Sequence, residues 1–71
     1  METKEEKFKR LATLRVNNTI KCIDLIGNLS NRSTYDYSDD EIKKIFSVLN
    51  DRMKEVKSRF KSQSGKKEFE L

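Results

Sequence analysis

Residue types that commonly carry out catalysis or hold metals are sparse in this sequence. It contains no histidine and one cysteine, Cys22, so the commonest general base and metal ligand is missing. Cys22 falls among the apolar positions of a helical pattern, where a cysteine usually behaves as a small hydrophobic side chain and not as a nucleophile. The sequence also has no glycine-rich phosphate-binding loop. We therefore expect a protein that is not an enzyme and has no cofactor.

One acidic segment has the spacing that opens a calcium-binding loop. Asp36, Ser38 and Asp40 stand at its first, third and fifth positions. The sixth position is Glu41, where the loop requires glycine, and the twelfth is Ser47, where it requires glutamate. The sequence therefore predicts no metal site here, and the capping of a helix explains the same residues.

Basic residues concentrate in the second half of the sequence. Nine Lys or Arg residues lie in the range 43–67, together with the acidic residues Asp51 and Glu55. A basic helix face can follow a phosphate backbone, but positive charge at a helix C-terminus is also favoured by the helix dipole. The candidate residues for a nucleic-acid face are Lys54, Lys57, Arg59 and Lys61. The net charge of +4 is modest, and no aromatic residue alternates with these basic ones to stack on bases, so nucleic-acid binding is the less favoured hypothesis.

A first helix is predicted from about residue 4 to residue 28. Thr3 and Glu6 have the spacing of a capping box, and neither glycine nor proline interrupts the pattern before Gly27. At about 100° per residue, its apolar residues cover about two-thirds of the circumference, which is wider than the stripe of a helix that packs on one neighbour. We therefore expect the first helix to contact two neighbours.

Three polar residues, Arg15, Asn18 and Thr19, lie inside this apolar sector. In one interpretation their polar ends reach the edge of the sector, and the stem of Arg15 lies along the core. In the other they form a polar layer that fixes the register between subunits, as a buried asparagine does in coiled coils. The pattern leaves both interpretations open.

A second helix is predicted over residues 39–61. Ser38 and Glu41 form another capping box, and Tyr37 with Ile42 has the spacing of a hydrophobic staple. The apolar residues that follow recur at alternating steps of four and three, a heptad seam held for about three repeats. Every charged position that flanks this seam is positive, which disfavours parallel pairing of two copies. The second helix is instead expected to fold back antiparallel on the first, because a loop over residues 29–38 is long enough for the reversal.

The predicted fold is all-α: an antiparallel two-helix hairpin over residues 1–61 that pairs with a second copy into a four-helix bundle. The wide apolar sector of the first helix motivates the homodimer, and small chains without disulfides or metals commonly depend on oligomerisation. The candidate core and dimer residues are Leu14, Ile20, Leu25, Phe46, Leu49, Met53 and Phe60. Residues 62–71 lack periodicity, and we expect them to form a flexible tail.

The start of the sequence, METKEEKFKR, is charged and is followed by no apolar run, so we expect no signal peptide. No segment approaches the length of a membrane span, and a single cysteine fits a reducing compartment. We expect a cytoplasmic protein. We expect no membrane partner, because each predicted helix covers the apolar side of the other.

A central segment, residues 15–46, resembles a group of small, uncharacterised bacterial proteins found in genomes and in mobile elements such as plasmids and phages. The shared motif has an R-V-N start, an L-I-G-N-L-S-N-R-S centre, an aromatic pair, and an acidic helix start followed by I-x-x-I-F. The resemblance implies a helical hairpin and attaches no activity to it.

The middle of this motif contains the one candidate site outside the helix faces. Gly27 and Asn28 are candidates for the left-handed backbone that ends many helices. Arg32 either holds the loop closed, by pairing with Asp36 or stacking on Tyr35, or belongs to an exposed polar-aromatic patch of the kind found at interfaces. This candidate patch comprises Asn28, Asn31, Arg32 and Tyr35.

Together these features favour a small, non-enzymatic helical module that binds an unidentified protein through the loop or a bundle face. The alternative is a nucleic-acid accessory protein that uses the basic side of the second helix. Binding to DNA or RNA that weakens steeply as salt rises would favour the alternative.

Overall fold

The computed structural model describes residues 1–64, which contain two long helices. Helix α1 comprises Lys4–Gly27, a short 3-10 helix follows at Asn28–Ser30, and helix α2 comprises Asp39–Ser64. The chain divides after Asp36 into two units, each built around one long helix. The prediction of an all-α protein with two helices is confirmed over the described residues. The antiparallel hairpin and the four-helix bundle stay predictions.

The start of α1 is capped by the predicted capping box. The Thr3 hydroxyl accepts a hydrogen bond from the Glu6 amide at 3.0 Å, and the Thr3 amide donates to Glu6 Oε1 at 2.8 Å. These two bonds satisfy amides that a helix start would otherwise leave unpaired. The boundary at Lys4 therefore follows from local side-chain chemistry.

A second contact at this end was not predicted. The Arg10 guanidinium reaches back to the carboxylate of Glu2, with Nε 2.8 Å from Oε2 and Nη2 3.0 Å from Oε1. The Glu2 carboxylate raises the pKa of Arg10 above its ordinary value, since a charged hydrogen-bond acceptor favours the protonated guanidinium. Because these side chains are exposed, the pair orients the segment before α1 and contributes little to stability.

The end of α1 differs from the prediction of a left-handed residue at Gly27 or Asn28. Gly27 has φ −61° and ψ −31°, and Asn28 has φ −65° and ψ −18°, so both keep right-handed helical backbone. The helix instead tightens into the 3-10 turn Asn28–Ser30, and the chain becomes extended at Asn31, with φ −72° and ψ 102°. Tightening the last turn is an alternative way to satisfy the final carbonyl groups of a helix.

The start of α2 follows the prediction. The Ser38 amide donates to Glu41 Oε1 at 2.8 Å, and the Glu41 amide donates to the Ser38 hydroxyl at 3.1 Å. Tyr37 and Ile42, the two residues of the predicted staple, are both half-buried although most of the chain is exposed. The acidic residues that follow Ser38 lie in the first turn, where the helix dipole favours negative charge.

Helix α2 is described as far as Ser64, three residues beyond the predicted end at residue 61. Residues 62–64, placed in the predicted tail, are therefore helical. Serine and glutamine are tolerated in a helix. The rest of the predicted tail, residues 65–71, lies outside the described residues.

Apolar side chains remain accessible along both helices. Among the residues whose burial is described, none is buried, and those of intermediate exposure are Leu11, Ala12, Ile26, Tyr37, Ile42, Ile45 and Val56. Each helix therefore carries accessible apolar surface.

Candidate protein-interaction surfaces

The longest continuous apolar surface of α2 is a stripe that we call the α2 seam. It comprises Ile42, Phe46, Leu49, Met53, Val56 and Phe60. Because α2 is an uninterrupted helix from Asp39 to Ser64, the alternating steps of four and three align these six side chains along one side. Ile42 and Val56 are half-buried, and the other four are exposed. This arrangement is typical of a helix that packs against another helix.

One edge of the α2 seam carries lysines. Lys43 and Lys57 flank it on the same side, with Asn50 between them, and all three side chains are exposed. Neither lysine forms an ion pair with a residue of the described range 1–64. This edge therefore presents positive charge that the described residues do not neutralise.

The opposite edge of the seam carries arginines. Arg52 Nε lies 3.5 Å from Glu55 Oε1, and Arg59 Nη2 lies 3.3 Å from the same oxygen. One carboxylate is thus shared by two guanidiniums, which leaves the edge with a net positive charge. The three side chains are more than half exposed, and exposed ion pairs of this kind hold their partners weakly.

The apolar sector of α1 is also exposed. The three α1 residues predicted for the core, Leu14, Ile20 and Leu25, and the four in α2 range in exposure from 38% for Leu49 to 64% for Leu25. Each is therefore available for a contact outside its own helix. Their burial in a bundle core stays a prediction.

The polar residues inside this sector are partly satisfied within α1 itself. The Thr19 hydroxyl donates to the Arg15 carbonyl at 2.7 Å. A hydroxyl paired in this way can enter an interface without the cost of an unsatisfied donor. Arg15, Asn18 and Thr19 are all exposed. Both interpretations of these residues, polar ends at the edge of an interface or a polar layer within it, stay predictions.

The loop after α1 is organised by one side chain, Asn31. Its Oδ1 accepts hydrogen bonds from the Ser33 amide at 3.0 Å and from the Ser33 hydroxyl at 2.6 Å. Its carbonyl oxygen accepts from the Thr34 amide at 3.1 Å and from the Tyr35 amide at 2.9 Å. Asn31 therefore caps a single helical turn, the role in which a short polar side chain is preferred.

The candidate loop patch consequently includes a residue with a structural role. Asn31 builds the turn, and the amide of Asn28 donates to the Asp24 carbonyl at the end of α1. Arg32 and Tyr35 are exposed, Tyr35 to 45%. The pairing of Arg32 with Asp36 or Tyr35 stays a prediction.

The four residues of the predicted nucleic-acid face do not share one side of α2. At about 100° per residue, Lys54, Lys57 and Lys61 lie within about 60° of one another. Arg59 lies about 140–160° away from them and pairs with Glu55. All four side chains are exposed, so the helix presents a lysine stripe and a separate arginine.

Metal-binding groups are not brought together in the part of the chain that the structure describes. Within residues 1–64, no group of three or more His, Cys, Asp or Glu side chains could hold a metal ion. Cys22 is an exposed free thiol on α1. Neither α1 nor α2 combines the length and hydrophobicity that crossing a membrane requires.

Comparison with known proteins adds no family or function. No protein-family model, no curated protein and no solved structure matches this chain. The resemblance of residues 15–46 to small bacterial and mobile-element proteins stays a prediction.

Proposed function

We propose that this chain is a non-enzymatic protein-interaction module that binds its partner through the exposed apolar faces of its helices. The observation that carries the proposal is the exposure of the α2 seam on a helix with a complete N-terminal cap. Heptad-spaced apolar residues are typical of helices that associate, and contiguous exposed apolar surface commonly marks an interaction site.

The size of the apolar surface supports this function. Covering one large apolar side chain fully contributes about 1.5–3 kcal/mol relative to leaving it in water. The six residues of the α2 seam therefore offer enough energy to offset much of the cost of immobilising a partner, which is about 4–15 kcal/mol. No chemistry beyond helix packing is required.

Self-association is a second proposed use of the same apolar faces and competes with binding of a partner to the α2 seam. In the predicted arrangement the two helices fold back antiparallel and a second copy completes a four-helix bundle. The wide apolar sector of α1 supports this dimer, since one neighbour does not cover about two-thirds of a helix circumference. In this bundle α1 would cover the α2 seam, so a partner that binds the seam would take the place of α1.

Affinity capture from host-cell extract tests the proposal when a seam variant is compared with a matched control. Leu49→Glu places a charge in the middle of the α2 seam, whereas Ser47→Glu places the same charge about 150° away on the same helix. Glutamate has good helix propensity, so both variants should keep their circular dichroism spectra. We expect Leu49→Glu to lose the captured protein and Ser47→Glu to retain it; equal capture by both would reject the proposal.

The loop patch is tested in the same capture. Arg32→Ala and Tyr35→Ala remove its two exposed side chains that have the strongest interface character. If the helix faces bind the partner, both variants capture the same proteins as the unmodified chain. Loss of the captured protein in either variant would show that the binding site lies in the loop.

A second candidate function is nucleic-acid binding, favoured by the exposed stripe of Lys54, Lys57 and Lys61. Binding of random-sequence DNA and RNA should be measured while salt is raised. A steep linear fall of log affinity with log salt concentration would support this function. The double variant Lys54→Gln with Lys57→Gln should then make this slope shallower. Absence of binding at low salt would reject it.

A further inference from the structure

The charges beside the α2 seam restrict what can pack on it. The seam is flanked by Lys43 and Lys57 on one edge and by Arg52 and Arg59 on the other. In paired helices these flanking positions lie closest to the flanking positions of the partner, where charge sets partner choice and orientation. The partner of the seam is therefore selected by charge as well as by hydrophobicity.

A parallel copy of α2 is a poor partner. In a parallel pair, the flanking residue that directly precedes a seam residue on one helix lies near the flanking residue five positions later on the other. This rule places Arg52 of one copy beside Lys57 of the second copy. Like charges in such positions oppose association.

An antiparallel copy of α2 is disfavoured for the same reason. Antiparallel pairing about the centre of the seam matches Ile42 with Phe60 across the dimer, so the apolar layers fit. Residues on the same edge then face each other, which places Lys43 beside Lys57 and Arg52 beside the second copy's Arg52. Self-association through the α2 seam therefore brings positive charges together in both orientations.

Helix α1 does not supply acidic flanks either. Helix α1, residues 4–27, contains six basic residues and three acidic ones, Glu5, Glu6 and Asp24. The basic residues of this range are Lys4, Lys7, Lys9, Arg10, Arg15 and Lys21. The apolar sector of α1 fits the seam, but its charge does not complement the seam edges.

We propose that the α2 seam binds an amphipathic helix of another protein, whose heptad-spaced apolar stripe is flanked by aspartate and glutamate. The inference rests on the proposed function and names the chemistry of the partner. Acidic side chains would pair with Lys43 and Lys57, which have no ion-pair partner within residues 1–64. Buried apolar contacts provide affinity, and the flanking pairs provide selectivity and the rate of association.

The Glu55 carboxylate does not block this arrangement. It holds Arg52 and Arg59 at 3.5 Å and 3.3 Å in an exposed position, and such pairs contribute little to stability. Partner carboxylates can therefore share the two guanidiniums at low cost. Selectivity should depend more strongly on the lysine edge, where the described residues offer no competing acid.

Two synthetic peptides test the inference with the full chain. Both are helices of about three heptads with leucine and isoleucine at the seam positions; one carries glutamate at every flanking position and the other carries lysine. Each peptide repels its own copies, so self-association does not obscure binding. Fluorescence anisotropy of the labelled peptides gives the dissociation constants. We expect the glutamate peptide to bind at least about tenfold more tightly than the lysine peptide, with a preference that shrinks as salt rises.

Charge-reversal variants assign this preference to the seam edge. Lys43→Glu with Lys57→Glu should abolish or invert it. The matched control, Lys44→Glu with Lys54→Glu, makes the same change of net charge on α2 away from the seam edges and should preserve it. If the first variant loses helicity, Lys43→Gln with Lys57→Gln removes the positive charges without adding negative ones. This double variant should reduce the preference.

Several results would overturn the inference. Equal affinity for the two peptides, or equal effects of the two double variants, would show that charge does not select the partner. Binding of neither peptide would show that the seam is covered by α1 or by a second copy, or is not a binding surface. These outcomes are distinguishable from failure of the proposed function, because the Leu49→Glu capture measures seam binding without reference to the charge of the partner.

Discussion

The Asn31 side-chain oxygen accepts two hydrogen bonds from Ser33, one from the amide at 3.0 Å and one from the hydroxyl at 2.6 Å. Together with the Thr34 and Tyr35 amides that donate to the Asn31 carbonyl, this contact builds the turn that follows α1. The asparagine at position 31 is therefore explained by the loop backbone. Asn28, Arg32 and Tyr35 stay the candidate binding residues of the patch.

Asn31→Ala should loosen this turn, because it removes the acceptor of both Ser33 bonds, each contributing about 0.5–1.5 kcal/mol. The Ser33 amide should then exchange with solvent deuterium several-fold faster. Asn31→Asp keeps a side-chain oxygen in the same place and should preserve protection. The same exchange rate in Asn31→Ala and in the unmodified chain would contradict the assigned role.

Gly27→Ala should stabilise the protein. Gly27 has right-handed helical backbone, and a Cβ built on it meets no atom within 4 Å apart from its chain neighbours and the backbone of its own helix. Alanine should therefore raise the free energy of unfolding by about 0.4–1 kcal/mol, mainly by reducing the conformational freedom of the unfolded chain. Urea unfolding followed by circular dichroism measures the change. A loss of stability would instead indicate the left-handed conformation that the sequence suggested.

The two helix starts could be predicted from the sequence because their causes are local. Thr3 with Glu6 and Ser38 with Glu41 are each three residues apart, and the structure forms both capping boxes. The end of α1 could not be predicted in the same way. Glycine adopts right-handed and left-handed backbone with similar ease, so Gly27 marks the region where a helix ends without specifying its geometry.

The sequence predicted the α2 seam more accurately than the nucleic-acid face. The α2 seam follows from heptad spacing, which an uninterrupted helix converts directly into a stripe. The predicted nucleic-acid face grouped Arg59 with three lysines by proximity in sequence, but helical rotation separates it from them. The reach of Arg10 back to Glu2 spans eight positions, and no short-range spacing rule anticipates a contact of that length.

Ser38→Ala should destabilise α2. The substitution removes the hydroxyl that accepts from the Glu41 amide at 3.1 Å, and loss of an N-terminal cap costs about 1 kcal/mol. The urea midpoint of the far-ultraviolet circular dichroism signal should fall. Ser47→Ala makes the same substitution inside α2 and serves as the control, for which we expect no loss. Equal midpoints for the two variants would show that the cap does not contribute.

Sedimentation equilibrium should detect a homodimer at micromolar concentration. The physical reason is the exposed apolar sector of α1, which is wider than one neighbouring helix covers. If the second copy packs on this sector, Ile23→Glu, near its middle, should shift the equilibrium towards monomer. Lys21→Glu, about 160° away on α1, should leave it nearly unchanged. A well-folded monomer of the unmodified chain at this concentration would contradict the dimer.

Oxidation of the two methionines measures the access of solvent to the α2 seam most directly. Met53 lies within the seam and is 57% exposed, and Met1, at 121%, lies outside it and serves as the internal control. Dilute hydrogen peroxide should be applied to the purified chain at low concentration and to the captured complex, with each methionine sulfoxide quantified by mass spectrometry. We predict that Met53 is oxidised readily in the chain alone and several-fold more slowly in the complex, while Met1 is unaffected by the partner. Protection of Met53 in the chain alone, or equal oxidation of Met53 with and without the partner, would contradict the proposal that the α2 seam is the binding surface.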